Sequence, residues 1–386
     1  MDKPSILLIG PAGEYGGREV EMNQVYHSLS KSYDVFLYST GAITSHSTAL
    51  DNVDDTSWSC LYDNIYKKSF TLKVLTYLSY FKNITRGNRY QYVNNKLAKE
   101  YFGFEEKAIS VLKEKINDYE LIFICAQVTS KYLLTIIDVA SSLNKPIGFR
   151  VTGTIFYVPE ELKSRLNVVN TFSYHSLLNK ANLDIYHPQQ SYLIIDQYAI
   201  LEKQLLKIPL KNTKIRTFGF LGRLSSEKGV DVLLDAFKQI DSDLIIAGDG
   251  PLKEKVEITS SQNDNIQFIG FIKKKEIVDF FSDIDCLIIC SLEETGPLVA
   301  LEAMASGTPI ISTRVGAMME RFEQRDSIYW IENSSSLDLQ QAVVKIKDLS
   351  NREIMRLGLD LRGRYLNGYA KAKIQKQYLN FINDIL

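Results

Sequence analysis

Two carboxylates and two cations in the second half of this chain have the types and spacing to do chemistry. Glu294 and Glu302 flank the junction of a strand and a helix in Ser291-Leu-Glu-Glu-Thr-Gly-Pro-Leu-Val-Ala-Leu-Glu-Ala-Met-Ala-Ser-Gly307. The apolar run 286–290 ends in an acidic loop; Thr295 suits a helix cap, Pro297 the first turn and Gly307 the stop. Glu294 therefore belongs at a strand's carboxyl end and Glu302 about one to two turns into the helix. Open α/β sheets bind ligands in that crevice, and a helix N-terminus offers free N–H groups to phosphate. A loop carboxylate there can hold sugar hydroxyls. Its neighbour Glu293 reads as a solvated surface residue. Arg223 and Lys228 stand in Phe218-Gly-Phe-Leu-Gly-Arg223-Leu-Ser-Ser-Glu-Lys228-Gly, a strand, a Gly-Arg turn and a helix. Two cations on such a loop can converge on a diphosphate and neutralise the charge that develops as it leaves, which removes the need for a metal.

Positioning these groups takes a sheet whose strands all end on one edge. Short apolar runs closed by Gly, Asp or Ser alternate with segments of helical period, the pattern of βα units around a parallel sheet, and the alternation occurs twice. The first set of strands is expected at 5–9, 35–39, 121–125, 147–151 and 192–195. The second is expected at 216–221, 243–247, 266–269, 286–290, 310–313 and 328–331. At 386 residues the chain suits two domains of about 150 to 200 residues each. Ile208-Pro-Leu-Lys-Asn-Thr-Lys214 interrupts the pattern just before the second set begins. The expected division is 1–208, 209–368 and a last helix, 369–386, that packs back towards the first domain.

The 291–307 segment and its continuation into Thr308-Pro resemble the E-x7-E region of family 4 glycosyltransferases, in the variant with Gly-Pro in place of Phe-Gly. The Gly-Arg-Leu-x-x-x-Lys-Gly element at 222–229 is similar to the one whose Arg and Lys hold the donor phosphates in that family. The resemblance implies an α/β protein of the GT-B fold, with two doubly wound Rossmann-like domains facing across a cleft. It implies that Glu294 contacts hydroxyls of the donor sugar, that Glu302 binds the nucleotide ribose, and that the backbone of Thr295, Gly296, Pro297 and Leu298 faces the diphosphate. It also implies a nucleotide diphosphate sugar as substrate, no metal, and retention through front-face attack, in bacterial cell-surface polysaccharide or lipopolysaccharide synthesis. Glu294, Arg223 and Lys228 then carry the catalysis. Two other readings are a sugar-nucleotide epimerase on the same fold, which would want further acid and base residues, and a non-catalytic nucleotide-sugar-binding partner.

The first strand runs into Gly10-Pro-Ala-Gly13-Glu-Tyr-Gly16-Gly17, a glycine loop opening a helix. Alone it resembles a dinucleotide-binding turn, but Val35-Phe-Leu-Tyr-Ser-Thr40 lacks the acid that would hold a ribose. In family 4 the matching Gly-Gly loop approaches the donor diphosphate from the acceptor side, which makes Gly16 and Gly17 candidates. The resemblance further places Gly248-Asp-Gly-Pro251 and the backbone of Phe271 to Lys273 near the base. Asp241-Ser-Asp243 and Asp283-Ile-Asp285 mimic a metal-binding triplet, yet both precede strands and so face the edge away from a ligand. Many family members carry a histidine where this chain has Thr152, so no histidine role is carried over. His175, a lone histidine beside an apolar segment, reads as structural.

With 45% hydrophobic and 24% charged residues and a net charge of −1, the chain is an ordinary globular protein, and nucleic-acid binding is excluded as the default. Its four cysteines form no C-x-x-C pair and read as reduced core residues; its four histidines have no zinc-site spacing. The opening residues lack a signal-peptide pattern and no long apolar run follows, so a cytoplasmic protein is expected. The segment 60–99 differs from the rest. It holds eight cations (Lys67, Lys68, Lys73, Lys82, Arg86, Arg89, Lys96, Lys99) against Asp63, interleaved with eight tyrosines and phenylalanines. Cations beside amphipathic rings suit an anionic membrane interface or a polyanionic ligand; a solvated insertion with its aromatics turned inward is the plainer reading. The first gives peripheral attachment at the inner face of the cytoplasmic membrane and a lipid-linked acceptor. The second leaves a saccharide acceptor.

Overall fold

A computed structural model describes residues 3–83, 88–188, 191–322 and 328–386; Arg86 of the basic segment lies outside the described residues. Two parallel sheets organise the chain. The first contains β1 (Ser5–Gly10), β2 (Asp34–Ser39), β3 (Trp58–Cys60), β4 (Leu121–Ala126), β5 (Ile147–Val151), β6 (Thr171–Tyr174) and β7 (Tyr192–Ile194), in the order β3-β2-β1-β4-β5-β6-β7. The second contains β8 (Thr217–Leu221), β9 (Asp243–Ala247), β10 (Ile266–Gly270), β11 (Cys286–Ile289), β12 (Ile310–Thr313) and β13 (Tyr329–Ile331), in the order β10-β9-β8-β11-β12-β13. Each sheet reverses its direction of growth once, between β1 and β4 and between β8 and β11. At such a switch point the loops diverge and leave a crevice.

The strands form where they do because apolar runs can be buried on two faces. Every residue of Leu121-Ile-Phe-Ile-Cys-Ala126 is buried, as a central parallel strand requires. In β11 the alternation divides two layers. Cys286 and Ile288 pack with Phe218, Leu234 and Val343 on one side, while Leu287 and Ile289 pack with Ala300, Met304 and Leu361 on the other. β3 and β6 escape the sequence pattern: the first is three residues at a sheet edge, and the second, Thr-Phe-Ser-Tyr, carries its hydroxyls inside. All four cysteines are free and buried.

The chain divides into two compact units. The first comprises Met1–Tyr174, Lys180–Ile195 and Gln375–Leu386, and the second His175–Asn179 and Asp196–Ile374. The crossing after Ile195 comes earlier than the proline-bearing stretch at 208–214 suggests. Ala199, Leu205 and Ile208 are buried with Leu287, Ala300 and Leu301, so these residues complete the second unit's core. The last helix, Lys371–Asn383, ends in the first unit, where Phe381 packs on Phe123 with ring centroids 5.1 Å apart. Gly148 makes room for it, since a Cβ there would lie 2.7 Å from the Phe381 ring.

One buried ion pair ties the first unit together. Arg150 on β5 bonds Glu21 of the helix Gly17–Leu29 through Nε, and its Nη1 donates to the Ile195 carbonyl at 2.6 Å. Both side chains are buried, so each charge depends on the other. Replacing Arg150 by Met is expected to lower stability by about 3–5 kcal/mol, because it takes the balancing positive charge away from the buried Glu21 carboxylate. The double variant Arg150→Met/Glu21→Met is expected to recover most of that loss in guanidinium denaturation.

Candidate functional site at the carboxyl edge of the second sheet

The loops after β8, β9, β11 and β12 are sewn to one another by backbone contacts. After β8, Gly222 N donates to Ala247 O at 3.1 Å and Leu224 N to Asp249 O at 2.9 Å. Gly248 and Gly250 permit this approach, with φ of 148° and 157°; a Cβ at Gly248 would lie 1.9 Å from the Gly222 carbonyl oxygen. At the loop's other end Leu292 N donates to Glu227 O at 2.8 Å, and the Cys290 thiol donates to Gly229 O at 3.3 Å. These contacts bring Lys228 and Glu294 together. The Lys228 ammonium donates to Glu294 Oε1, and Ser291 Oγ donates to the same oxygen at 3.3 Å. Arg223 stands exposed on the same loop.

The helix Leu298–Ser306 starts beside this pair. Its N-cap is Pro297 (φ −60°, ψ 116°) and no side chain caps it, so Thr295 does not have the capping role its type suggested. Thr295 is instead held by its backbone: its carbonyl accepts from Ala317 N at 2.8 Å. Gly316, with φ 48°, passes so near that a Cβ would lie 2.4 Å from the carbonyl oxygens of Glu294 and Thr295. The start of the helix thus keeps N–H groups open to an anion. Gly307, with φ 73°, ends it in the left-handed cap its sequence position indicated.

Beneath the 294–298 loop lies a buried cluster that local sequence did not single out. Arg321 grips both oxygens of Asp196, at 2.8 and 2.7 Å, and its Nη1 donates to Pro297 O at 2.7 Å. His175 Nδ1 lies 3.9 Å from Asp196 Oδ1. A Cβ on Gly296 would sit 3.3 Å from Arg321 Nη2 and 3.4 Å from His175 Nδ1, so this glycine lets the loop settle on both. Burial pushes the Asp196 carboxyl up, but the Arg321 charge and the His175 hydrogen bond outweigh it and hold it well below the usual carboxylate range. Arg321 and Asp196 lie 125 residues apart, and nothing in either neighbourhood pairs them. Of these residues only the histidine stood out in the sequence.

Other candidates take different places. Phe271 and Lys273 are exposed after β10, and Lys273 N–H already donates to Glu276 Oε2 at 2.6 Å, so that amide is not free to read a base. Asp285 is a structural anchor at the opposite edge of the sheet, accepting from Arg216 N and Thr217 N at 3.0 Å each. In the first unit, Gly16 (φ 147°) is the N-cap of Gly17–Leu29, and a Cβ on Gly17 would meet nothing within 4 Å. Thr152 follows β5; its hydroxyl is buried and, among the described residues, without a hydrogen-bond partner.

Glu302 is 3% exposed in a helix turn where Ala300, Leu301, Ala303 and Met304 are also buried. Burial alone pushes its carboxyl up to about 8 from its ordinary 4.5. Between those values the folded protein keeps a proton that the unfolded chain has released. Stability contributed by the neutral form is therefore complete below about pH 4.5 and is lost as pH rises to about 8. Glu302→Gln, which cannot ionise, is expected to match the parent's melting temperature near pH 4.5. It is expected to exceed it progressively towards pH 8, by an amount equivalent to a few kcal/mol at most, on the order set by linkage. Parallel melting curves for the two proteins across that range would reject the assignment.

Residues 202–358 match the family model described as Glycosyl transferases group 1. An uncharacterized glycosyltransferase of Methanocaldococcus jannaschii is 33% identical over 147 residues, 38% of this chain and 41% of the relative. N-acetyl-alpha-D-glucosaminyl L-malate synthase of Bacillus anthracis is 26% identical over 274 residues, 66% of each chain. In neither does the match reach two thirds of the relative's length. Among solved structures, Anabaena Alr3699/HepE in complex with UDP and glucose superposes with a TM-score of 0.74 at 15% identity, over 98% of this chain and 99% of that one. The chain therefore has the GT-B fold, and the part of it that matches the glycosyl transferases group 1 family carries Arg223, Lys228, Glu294 and Glu302.

Proposed function

We propose that the chain is a retaining, metal-independent glycosyltransferase that moves a sugar from a nucleotide diphosphate sugar to an acceptor in cell-surface polysaccharide or lipopolysaccharide synthesis. The observation that carries this reading is the Lys228–Glu294 pair, held at the switch point of the second sheet beside an uncapped helix N-terminus. Cation and carboxylate satisfy each other. A nucleotide sugar offers each a better partner: the diphosphate draws Lys228 away, and the freed Glu294 accepts from sugar hydroxyls. Arg223 and the backbone N–H groups of residues 295, 296 and 298 complete the anion's surroundings, while Glu302 accepts from the ribose. The UDP and glucose held by Alr3699/HepE support this donor class.

Chemistry then needs no metal. The bond from the anomeric carbon to the diphosphate oxygen breaks as Arg223 and Lys228 take up the charge on the departing oxygen. The acceptor oxygen attacks from the same face and forms the new glycosidic bond. Its proton passes to the leaving diphosphate. The configuration at the anomeric carbon is retained. The first unit supplies the acceptor side, with Gly16 and Gly17 at a helix start and the basic segment 60–99 drawing the protein to the inner membrane surface, where a lipid-linked acceptor lies.

Incubation with radiolabelled nucleotide sugars tests the reading. Slow hydrolysis of one donor, undiminished by excess EDTA, is expected, and Arg223→Ala and Lys228→Ala are each expected to cut turnover by about 100-fold with the fold intact. Interconversion of two sugar nucleotides would identify an epimerase, and binding without turnover a non-catalytic partner. Loss of turnover on chelation that magnesium or manganese restores would remove metal independence.

The two glutamates are expected to divide the donor between them. Glu302→Gln should weaken binding of the bare nucleotide and of the sugar nucleotide alike, whereas Glu294→Gln should spare the bare nucleotide and depress transfer. Calorimetric titration of both variants with nucleoside diphosphates measures this, and equal losses would show that the carboxylates share one partner.

A further inference from the structure

The helix Phe70–Lys82 in the first unit is apolar on two faces. Leu72 and Thr76 point into the core, and Thr76 satisfies its hydroxyl on the Leu72 carbonyl at 2.6 Å. At 3.6 residues per turn, Phe70, Val74, Leu78 and Phe81 fall on one stripe opposite that face, with Lys73 on one border and Lys82 on the other. Phe70 is 82% exposed, Leu78 64% and Phe81 66%, and Lys73 and Lys82 are exposed beside them. The aromatics of this segment are thus not all turned inward, as an ordinary insertion would have them. Helix Lys96–Tyr101, which contacts Phe70–Lys82, also exposes Leu97 and Tyr101, one turn apart.

An exposed stripe of large side chains on a helix that already has an inner apolar face marks an interaction surface. Its borders select the partner. Cations flanking an apolar stripe fit a helix lying in the plane of an anionic bilayer, with the stripe among the acyl chains and the ammonium groups at the headgroups. A second copy seated symmetrically on the stripe would instead bring like charges together. Lys67 and Lys68 carry exposed pairs with Asp63 and Glu114, which are weak enough to be exchanged for headgroups.

We propose that Phe70, Val74, Leu78 and Phe81 insert into an anionic membrane leaflet, so that attachment is apolar as well as electrostatic. The proposal rests on the membrane-bound acceptor reading and adds a burial step to it. Cosedimentation with vesicles of phosphatidylcholine alone and of phosphatidylcholine mixed with phosphatidylglycerol tests it at low and high salt. The parent protein is expected to bind the mixed vesicles at low salt and to keep part of that binding at high salt. Phe70→Ser/Leu78→Ser/Phe81→Ser is expected to lose binding by roughly tenfold or more per side chain at full insertion. Lys73→Gln/Lys82→Gln should keep the salt-resistant part and lose much of the salt-sensitive part. Circular dichroism spectra and melting temperatures equal to the parent's report that each variant is folded.

Unchanged binding of the triple serine variant, or complete release of the parent at high salt, would overturn insertion while leaving charge attraction standing. A parent that ignores both vesicles would overturn both. A parent that sediments as a dimer, split by the serine substitutions, would show that a second copy covers the stripe and would overturn the proposal.

Discussion

A buried arginine governs the geometry of the candidate donor site. Arg321 spends two N–H groups on Asp196 and a third on the carbonyl of Pro297. A guanidinium in the interior is tolerated only when its charge is balanced and its donors are used. Here a third donor fixes Pro297, the N-cap of the helix Leu298–Ser306. Gly296 lies against the same guanidinium and His175, and Gly316 presses on the carbonyls of Glu294 and Thr295. The loop that carries Glu294 is held from below by the pair and from the side by the turn after β12. Its orientation follows from those contacts and not from its own sequence.

The ionisable groups around that loop are in contrasting states. Asp196 is driven to its charged form by a partner it cannot leave. Lys228 and Glu294 hold each other near the surface, where a stronger anion and a set of hydroxyls can displace them. Glu302 has burial acting on it and, among the described residues, no compensating charge, and its carboxyl rises to about 8. A permanently satisfied pair thus supports the scaffold, while the groups that would meet a ligand are exchangeable or costly to keep charged.

The first unit follows a parallel logic at a larger scale. Arg150 and Glu21 fasten β5 to the helix after the glycine loop, and the last helix closes over Phe123 and Gly148. Its core uses one face of Phe70–Lys82 and leaves the other to solvent. No helix among the described residues is long and apolar enough to cross a membrane. Part of this unit's exposed apolar surface is a stripe on Phe70–Lys82 bordered by lysines.

Much of this was legible in the residues themselves. Parallel strands are buried on both faces, so β1, β4, β8, β9, β11 and β12 appear as apolar runs. Gly307 as a helix stop follows from its place after the apolar run, whereas the closeness of Lys228 to Glu294 depends on β8 and β11 being neighbours in the sheet. β3 and β6 were not legible, because a three-residue edge strand and a hydroxyl-bearing one carry little periodic signal. The chain enters the second unit after Ile195, ahead of the stretch at 208–214, because Leu205 and Ile208 gain their burial from residues almost a hundred positions away. Thr295 looked like a cap, yet capping depends on where the chain enters the helix, and that was settled by Arg321 and Gly316. The sequence by itself determined the alternation of elements and the chemistry available at their ends, since both depend on neighbours within a few residues. Only the tertiary structure decided that Arg321 meets Asp196, that Glu302 is shut away from water, and that one face of Phe70–Lys82 is left uncovered. Each of these depends on which distant segment fills the adjoining space, and the free energy of a charge or a ring is set by that surrounding and not by its own type.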